Sequence, residues 1–169
     1  QGVGARGMLC GIDPGSQGAI AWMTDEGHLI EVRDLPHIKG HGMCPAILAG
    51  WLQEQDRRPV HAFVEKVASR PGQGVVSVFT FGRSVGLIEG VMGALEIPVT
   101  MVTPQRWKAG VGLPADKRSD KGASRGRAAQ LWPGLAGTFS RVRDDGRAEA
   151  ALIALYGANS LHGAGKGGA

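Results

Sequence analysis

The sequence predicts an α/β fold in which helices flank a mixed five-stranded sheet. Three apolar segments, "MLCGID", "GAIAWMT" and "HLIEVRDLP", are separated by turn residues, and this pattern predicts an antiparallel three-stranded meander. After the meander, apolar strand segments alternate with stretches of helical periodicity. Such an order adds two further strands to the sheet and places helices on its faces.

The remaining elements follow in chain order. Residues 44–56 carry apolar side chains at helical spacing, and "RPVHAFVEKV" predicts a strand that ends in Glu65. A short strand is predicted at "IPVTMVTP". Helices are predicted at about 75–95, 119–131 and 144–161. We therefore expect one domain over residues 8–161, with a flexible leader or tag remnant at 1–7 and a disordered glycine-rich tail at 162–169.

Composition argues against several classes of protein. The chain has 169 residues and 43% hydrophobic content, and no uninterrupted apolar run approaches the ~20 residues of a membrane span. Because no basic-then-apolar leader is found, we expect a cytoplasmic protein. The two cysteines, Cys10 and Cys44, have neither metal nor redox spacing, so we expect reduced thiols without a functional role.

Positive charge is concentrated in one segment. The chain has a formal net charge of +4, and residues 103–127 contain seven basic residues against two acidic ones. Such a segment favours a polyanionic partner, and a solvated charged surface is the alternative.

Four acidic residues stand where apolar elements begin or end. Asp13 and Glu65 each close an apolar strand, where an unpaired charge is costly. Asp145 and Glu149 lie four residues apart near the start of the last helix and so share one face. Together these carboxylates can converge on a pocket suited to Mg²⁺ or Mn²⁺. The alternative is that the strand acids serve a turn and an ion pair while the helical acids cap their helix.

Short motifs along the chain together resemble one known family. "GIDPGSQGAIA" resembles the opening strand and turn of the RuvC-type Holliday junction resolvases, particularly their bacteriophage members, and "FVEKV" resembles the strand that carries their glutamate. "FGRSVGLIEGV" is similar to their long central helix, "IPVTMVTPQRWKAGVGLPADK" to the following strand, basic loop and lysine, and "DDGRAEAALIAL" to their acidic closing helix. The resemblance extends from about Met8 to Tyr156, and it implies a ribonuclease H-like fold in a protein of a bacterial cell or phage-infected host.

The resemblance also implies a chemistry. The protein would resolve four-way DNA junctions by paired symmetric nicks, leaving a 5′-phosphate and a 3′-hydroxyl. Two Mg²⁺ ions, for which Mn²⁺ can substitute, would be held by four acids: Asp13, Glu65, Asp145 and Glu149. Lys117 in "GLPADK" matches the family's catalytic lysine, which would stabilise charge in the transition state, and a solvated loop lysine is the alternative.

Two positions depart from the family's pattern. The family's closing acids are commonly two aspartates three residues apart, whereas the acids before Glu149 lie four and five residues away. We prefer Asp145 to Asp144 as the ligand, because Asp144 is rotated off the shared face and would cap the helix well. Bacterial members probe the open junction with an aromatic residue three positions after the glutamate, where this chain has Ala68.

Basic side chains in loops are candidates for holding DNA phosphates without reading bases. These candidates are Arg70, Arg106, Lys108, Arg118 and Lys121. Trp107 lies between two of them and would either stack on a base or anchor the core. Phosphate contacts favour recognition of DNA by shape, which suits an enzyme that finds a four-way branch in any sequence.

A stripe of glycines marks the predicted long helix. Gly82, Gly86 and Gly90 recur every four residues and so share one face. Because glycine costs a helix about 1 kcal/mol per residue, the stripe predicts a close approach of two helices. We expect it to form the two-fold contact of a homodimer, which would place two pockets on two opposed strands. Coincidence among 28 glycines is the alternative.

Other functions fit the sequence less well. "GIDPGSQGAI" also resembles the first phosphate turn of the actin and sugar-kinase superfamily, but 169 residues are too few for that superfamily's two domains, so we expect no nucleotide cofactor. The four acids disfavour a DNA-binding module without activity, and no membrane partner is expected. The nearest alternative is a ribonuclease H-like nuclease that cuts other branched DNA or RNA-containing duplexes.

Overall fold

The computed structural model describes residues 7–54, 56–66, 72, 74–114 and 122–164. The strands are β1 (Met8–Asp13), β2 (Ala19–Thr24), β3 (Leu29–Asp34), β4 (His37–Ile38), β5 (Gly42–Met43), β6 (His61–Glu65) and β7 (Val99–Val102). The helices are α1 (Pro45–Leu52), α2 (Val75–Ala94), α3 (Pro104–Gly110), α4 (Ala123–Leu131) and α5 (Asp145–Ala164). Two 3₁₀ segments, Pro133–Phe139 and Val142–Asp144, precede α5.

A mixed five-stranded sheet with the order β3-β2-β1-β6-β7 forms the centre of the fold. Strands β1, β2 and β3 pair antiparallel, whereas β6 pairs in parallel with both β1 and β7. The predicted five-stranded sheet and its meander are therefore confirmed. Because Ile12 lies opposite Val64 in the parallel pair, Asp13 and Glu65 end neighbouring strands at the same edge of the sheet.

Several boundaries differ from the predicted ones. Helix α1 is shorter than 44–56, and α4 begins at Ala123. Helix α5 continues to Ala164, three residues beyond its predicted end. The β4–β5 hairpin and α3 escape prediction because strands of two residues carry no periodicity and α3 has only 7 residues. Residues 1–6, 119–121 and 165–169 lie outside the described part of the chain.

Helices cover both faces of the sheet. Helices α1 and α2 pack on one face, where Ile12, Trp22 and Met92 belong to one buried cluster. Helix α5 covers the other face, where Leu9 and Met23 are buried with several of its alanines. Every residue of β2 is buried, as expected for a strand covered on both faces.

Helix α5 lies directly against the backbone of β1. A Cβ atom built on Gly11 would overlap backbone atoms of Ala150 and Ala154. Glycine is required here because any side chain would force the helix away from the sheet. Since Gly11 lies two residues before Asp13, and Ala150 directly follows Glu149, this contact fixes how the two acids approach each other.

Helix α2 packs on the sheet with one side only. Ile88 and Met92 on its inner side are buried. Near its start, Val75, Val76 and Phe79 are 85%, 79% and 72% exposed. By length and composition α2 is also apolar enough to cross a membrane, which corrects the expectation drawn from uninterrupted apolar runs. Its outer side is thus an apolar surface that some partner could cover.

Candidate active site

Three carboxylates converge at the edge of the sheet. One oxygen from each of Asp13, Glu65 and Glu149 lies within 4.8 Å of the others. Asp13 ends β1, Glu65 ends the neighbouring parallel strand β6, and Glu149 lies in the second turn of α5. The structure thus brings together three of the four acids that the sequence pointed to.

The turn after β1 holds the Asp13 carboxylate in place. The backbone N–H of Gly15 donates to Asp13 Oδ1 at 2.9 Å, and the N–H of Gly18 donates to the Gly15 carbonyl oxygen at 2.9 Å. A Cβ atom on Gly18 would overlap the carbonyl oxygen of Asp13, so the turn can close this tightly only with glycine. The side chain that the turn orients is buried.

Helix α5 begins on the same turn. A Cβ atom built on Gly146 would overlap the carbonyl oxygen of Gln17 and would lie 3.1 Å from Asp13 Oδ2. This contact sets the start of the helix beside Asp13 and brings Glu149, three residues later, into the acid group. On the other side of the helix, the Ser124 hydroxyl of α4 donates to Glu149 Oε1 at 3.5 Å.

Burial and nearby negative charge make Asp13 and Glu149 hard to ionise. Burial, and to a lesser degree the charge of Glu65, raises the pKa of Asp13 to about 7, although the hydrogen bond from Gly15 opposes the rise. Burial and then the charges of Asp13 and Glu65 raise the pKa of Glu149 to about 8, and the charge of Lys108 opposes it. A divalent cation among the three carboxylates would favour their ionised forms.

Glu65 is held by an aromatic residue of α3. The indole Nε1–H of Trp107 donates to Glu65 Oε1 at 3.0 Å. Trp107 is fully buried and belongs to a cluster with Phe63 of β6 and Ile153 of α5. Of the two roles considered for Trp107, the structure therefore shows the core anchor and leaves no exposed ring to stack on a base.

Two of the predicted DNA-contact residues, Arg106 and Lys108, lie on helix α3 rather than in a loop, and the charge of Lys108 acts on Glu149. Arg106 is exposed on α3, and the Nζ atom of Lys108 lies 5.4 Å from the centroid of the Trp107 ring. The other three predicted contact residues are Arg70, Arg118 and Lys121. They lie outside the described part of the chain, as do Lys117 and Ala68.

The glycine stripe of α2 lies on the exposed side of the helix. A Cβ atom built on Gly82, Gly86 or Gly90 would meet nothing within 4 Å. The stripe is therefore not used for packing among the described residues, and its face is open for a second helix.

Comparison with known proteins adds a sequence relative. No protein-family model matches the chain. It is 32% identical over 128 residues to the chloroplastic Holliday junction resolvase MOC1 of Chlamydomonas reinhardtii. The match covers 73% of this chain, and the chain spans 14% of the length of that relative.

Solved structures of RuvC share the fold. T. thermophilus RuvC in complex with a Holliday junction substrate matches with a TM-score of 0.61 at 16% identity, over 93% of this chain and 96% of that one. Another structure of Thermus thermophilus RuvC matches with a TM-score of 0.62 at 19% identity, over 92% and 96%. The chain has the fold of RuvC. The predicted ribonuclease H-like fold and the resemblance to RuvC-type resolvases are confirmed.

The site departs from the expected ligand set at the start of α5. Asp145 lies outside the three-acid group, and its half-exposed carboxylate accepts a hydrogen bond from Arg125 Nε at 2.7 Å. Asp144 is buried and accepts from the backbone N–H of Arg141 at 2.8 Å, besides its ion pair with the same residue. Asp144 was expected to cap the closing helix, but its side chain caps the preceding 3₁₀ segment instead. The role of Arg125 is a feature that sequence reasoning missed.

Packing explains why this chain lacks a second acid three residues before Glu149, the spacing that is common in the RuvC-type resolvases. Three residues before Glu149 the chain has Gly146, whose contact with the Gln17 carbonyl leaves no room for a side chain. An aspartate there would displace the turn that orients Asp13. The tight join between turn and helix is therefore incompatible with an acid at that position.

Proposed function

We propose that this RuvC-like protein is a metal-dependent, structure-selective endodeoxyribonuclease that resolves four-way DNA junctions by paired symmetric nicks. The observation that carries the proposal is the group formed by Asp13, Glu65 and Glu149, whose oxygens lie within 4.8 Å of one another. The sequence match to a Holliday junction resolvase and the fold shared with RuvC support the same substrate class.

The donor set fits a hard divalent cation. All three groups are carboxylates, the ligands that Mg²⁺ and Mn²⁺ prefer, and their oxygens are close enough to share an ion. Asp13, Glu65 and Glu149 would hold it. When bound, such ions activate the attacking water and stabilise the leaving oxygen of a phosphodiester.

We propose Mg²⁺ as the natural ion, with Mn²⁺ able to substitute, and two ions per site. The three converged acids supply the central ligands. Asp145 would contribute to the second ion, in exchange for its present ion pair with Arg125. Removing Asp145 should then weaken cleavage, whereas removing a central acid should abolish it.

Basic residues around the acids would hold the DNA backbone. Lys108 of α3, whose charge acts on Glu149, and the exposed Arg106 two residues before it are suited to phosphates that flank the cut. We propose the same role for Arg70, Arg118 and Lys121, and stabilisation of the transition state by Lys117. Hydrolysis would leave a 5′-phosphate and a 3′-hydroxyl.

We also propose that the outer face of α2 makes the protein a homodimer. Gly82, Gly86 and Gly90 leave space along this face, and Phe79 adds exposed apolar surface near its start. Two copies related by a two-fold axis would present one site to each of two opposed strands. Paired nicking of a junction requires this arrangement.

Cleavage of a panel of labelled four-way, three-way, flap and hybrid substrates under Mg²⁺ and Mn²⁺ tests the proposal. The wild-type protein should cut the four-way junction in preference to the others. Asp13→Asn and Glu65→Gln should lose cleavage by at least ~1000-fold while still binding the junction in Ca²⁺ or EDTA. Glu54→Gln, which alters a surface acid paired with Arg33, is the matched control and should cut normally.

Each outcome has a distinct meaning. Retained cutting by Asp13→Asn or Glu65→Gln would overturn the assignment of the acids. Preference for a hybrid duplex or a flap would instead favour a ribonuclease H-like nuclease of another substrate class. Junction binding without any cleavage would indicate a DNA-binding module.

A further inference from the structure

The indole N–H of Trp107 donates a hydrogen bond to a side chain of the site, which distinguishes it from the other large buried indole, that of Trp22. Trp22 and Trp107 are both fully buried. The Nε1 atom of Trp22 has no hydrogen-bond partner among the described residues, whereas that of Trp107 donates to Glu65 Oε1 at 3.0 Å. A buried indole N–H usually finds an acceptor, and here the acceptor is a carboxylate of the acid group. The fold tolerates an unpaired indole at one position and places a paired one at the site.

The backbone explains why Trp107 reaches Glu65. In the parallel pair β6–β7, Glu65 lies opposite Val102. Thr103 follows at once and caps α3, its side chain accepting from the backbone N–H of Arg106 at 3.4 Å. The first turn of α3 thus begins beside the end of β6, and Trp107 in that turn comes within hydrogen-bond distance of the Glu65 carboxylate.

Packing fixes the indole from the other side. Trp107 shares a buried cluster with Phe63, two residues before Glu65, and with Leu152, three residues after Glu149. The indole therefore belongs to the same buried cluster as residues of both elements that carry these acids. A rigid donor on a packed ring restricts a glutamate far more than a solvent contact would, because the glutamate has three rotatable bonds.

We propose that Trp107 is a positioning residue of the metal centre, which sets the orientation of the Glu65 carboxylate through its indole N–H. This inference rests on the proposed function, in that the three acids bind a divalent cation. Hydrogen bonds from outside the ligand shell orient metal ligands, and their loss typically weakens metal binding by about 10- to 100-fold. Trp107 itself touches neither metal nor DNA in this role.

Trp107→Phe removes the N–H and keeps an aromatic ring in the cluster. Trp22→Phe is the matched control, since it makes the same change in a buried indole that has no partner. Mn²⁺ binding is measured by isothermal titration calorimetry without DNA, with thermal unfolding in EDTA to check the fold. We expect Trp107→Phe to bind Mn²⁺ about 10- to 100-fold more weakly and Trp22→Phe to match the wild-type protein. Excess Mn²⁺ should restore most of the cleavage rate of Trp107→Phe.

The outcomes separate the inference from the proposed function. If the wild-type protein binds no Mn²⁺ or Mg²⁺, the metal site itself is wrong. If it binds and Trp107→Phe binds equally well, the positioning role is overturned. Excess Mn²⁺ that fails to restore cleavage would also count against it.

A second readout needs no substitution at Trp107. The chain has four tryptophans, so a ¹⁵N–¹H spectrum of the wild-type protein shows four indole signals. One signal should shift when Mg²⁺ is added, and the same signal should shift in Glu65→Gln. If no indole signal responds to either change, the Trp107–Glu65 contact does not report on the site and the inference fails, even where Trp107→Phe does not fold.

Discussion

Helices α2 and α5 each have 20 residues and each carry small residues at intervals of four, yet these residues meet opposite environments. In α5, Gly146 and Ala150 press against the turn after β1 and against β1 itself. In α2, Gly82 and Gly86 have open space where a Cβ atom would stand. The same spacing serves contact within the chain in one helix and leaves a free face in the other.

The difference lies in which residues of each helix are buried. In α2 the buried residues Ser84, Ile88 and Met92 also recur every four residues, offset by two from the glycines, which places them on the opposite side. In α5 the residues from Ala150 to Ala154 are buried all round the helix, and Ala150 and Ala154 lie against Gly11 of β1. A stripe of small residues therefore predicts close packing only together with the burial of its own face.

The largest expected effect concerns two acids of the site, Asp13 and Glu149, in contrast to the exposed Glu89 of α2. The pKa values of Asp13 and Glu149 are raised to about 7 and about 8, so the folded protein binds protons more tightly than the unfolded chain. Metal-free stability should therefore be greatest near pH 4, where the unfolded chain begins to ionise these carboxyls, and fall as the pH rises to 8. For Asp13 the shift from 3.8 corresponds to a loss on the order of 4 kcal/mol.

Urea unfolding in EDTA at pH 4 and pH 8 measures this loss. Asp13→Asn removes one of the titrating groups and should flatten the pH dependence, and Mg²⁺ should restore stability at pH 8 in the wild-type protein. Below about pH 4 the reverse trend is expected, because the arginine partners of Asp34 and Asp144 hold the pKa of each below its usual range. Equal stability at pH 4 and pH 8 in EDTA would contradict the prediction.

A smaller effect on the free energy of unfolding is expected when one glycine of each helix is replaced by alanine. In Gly157→Ala of α5 the new Cβ would overlap the Phe63 ring, and overpacking of this kind costs ~1 to 3 kcal/mol of unfolding free energy. In Gly86→Ala of α2 the Cβ meets nothing within 4 Å of the chain, so the free energy of unfolding of the monomer should rise by up to ~1 kcal/mol. Urea unfolding at low protein concentration measures both. If both variants changed the free energy of unfolding in the same direction, the contrast between the two helices would be contradicted.

Much of the site could be predicted because the order of the strands determines where its acidic residues lie. A parallel pair carries Asp13 and Glu65 to one edge, and a closing helix rich in small residues brings Glu149 to them. The indole bond from Trp107 to Glu65 could not be predicted, because it joins residues 42 positions apart through a helix without periodicity. The capping pattern Thr103-Pro104 was a usable signal for that helix.

The fourth acid could not be assigned from spacing alone. Asp145 shares a helix face with Glu149, but its carboxylate is paired with Arg125 of α4. That choice depends on how α4 packs beside α5, which the sequence does not reveal. Gly146, by contrast, could have been suspected, since a glycine in the first turn of a helix has a poor helix propensity and often marks a close contact.

The last prediction tests whether the free face of α2 is the interface between two copies. Gly86→Leu should fill the space that a second helix would occupy and weaken the dimer by ~1 to 3 kcal/mol, a dissociation constant about 5- to 150-fold higher. The monomer should stay folded by circular dichroism, because the new side chain points into open space.

Gly50→Leu is the control: Gly50 is an exposed helical glycine of α1 whose Cβ likewise meets nothing among the described residues. In sedimentation velocity at falling concentration, Gly86→Leu should become monomeric first and lose coordinated cutting of the two strands, while Gly50→Leu should sediment like the wild-type protein. A folded Gly86→Leu protein that stays dimeric to nanomolar concentration would place the two-fold axis on another surface, and a wild-type protein that is monomeric but floats with lipid vesicles would assign the apolar face of α2 to a membrane instead.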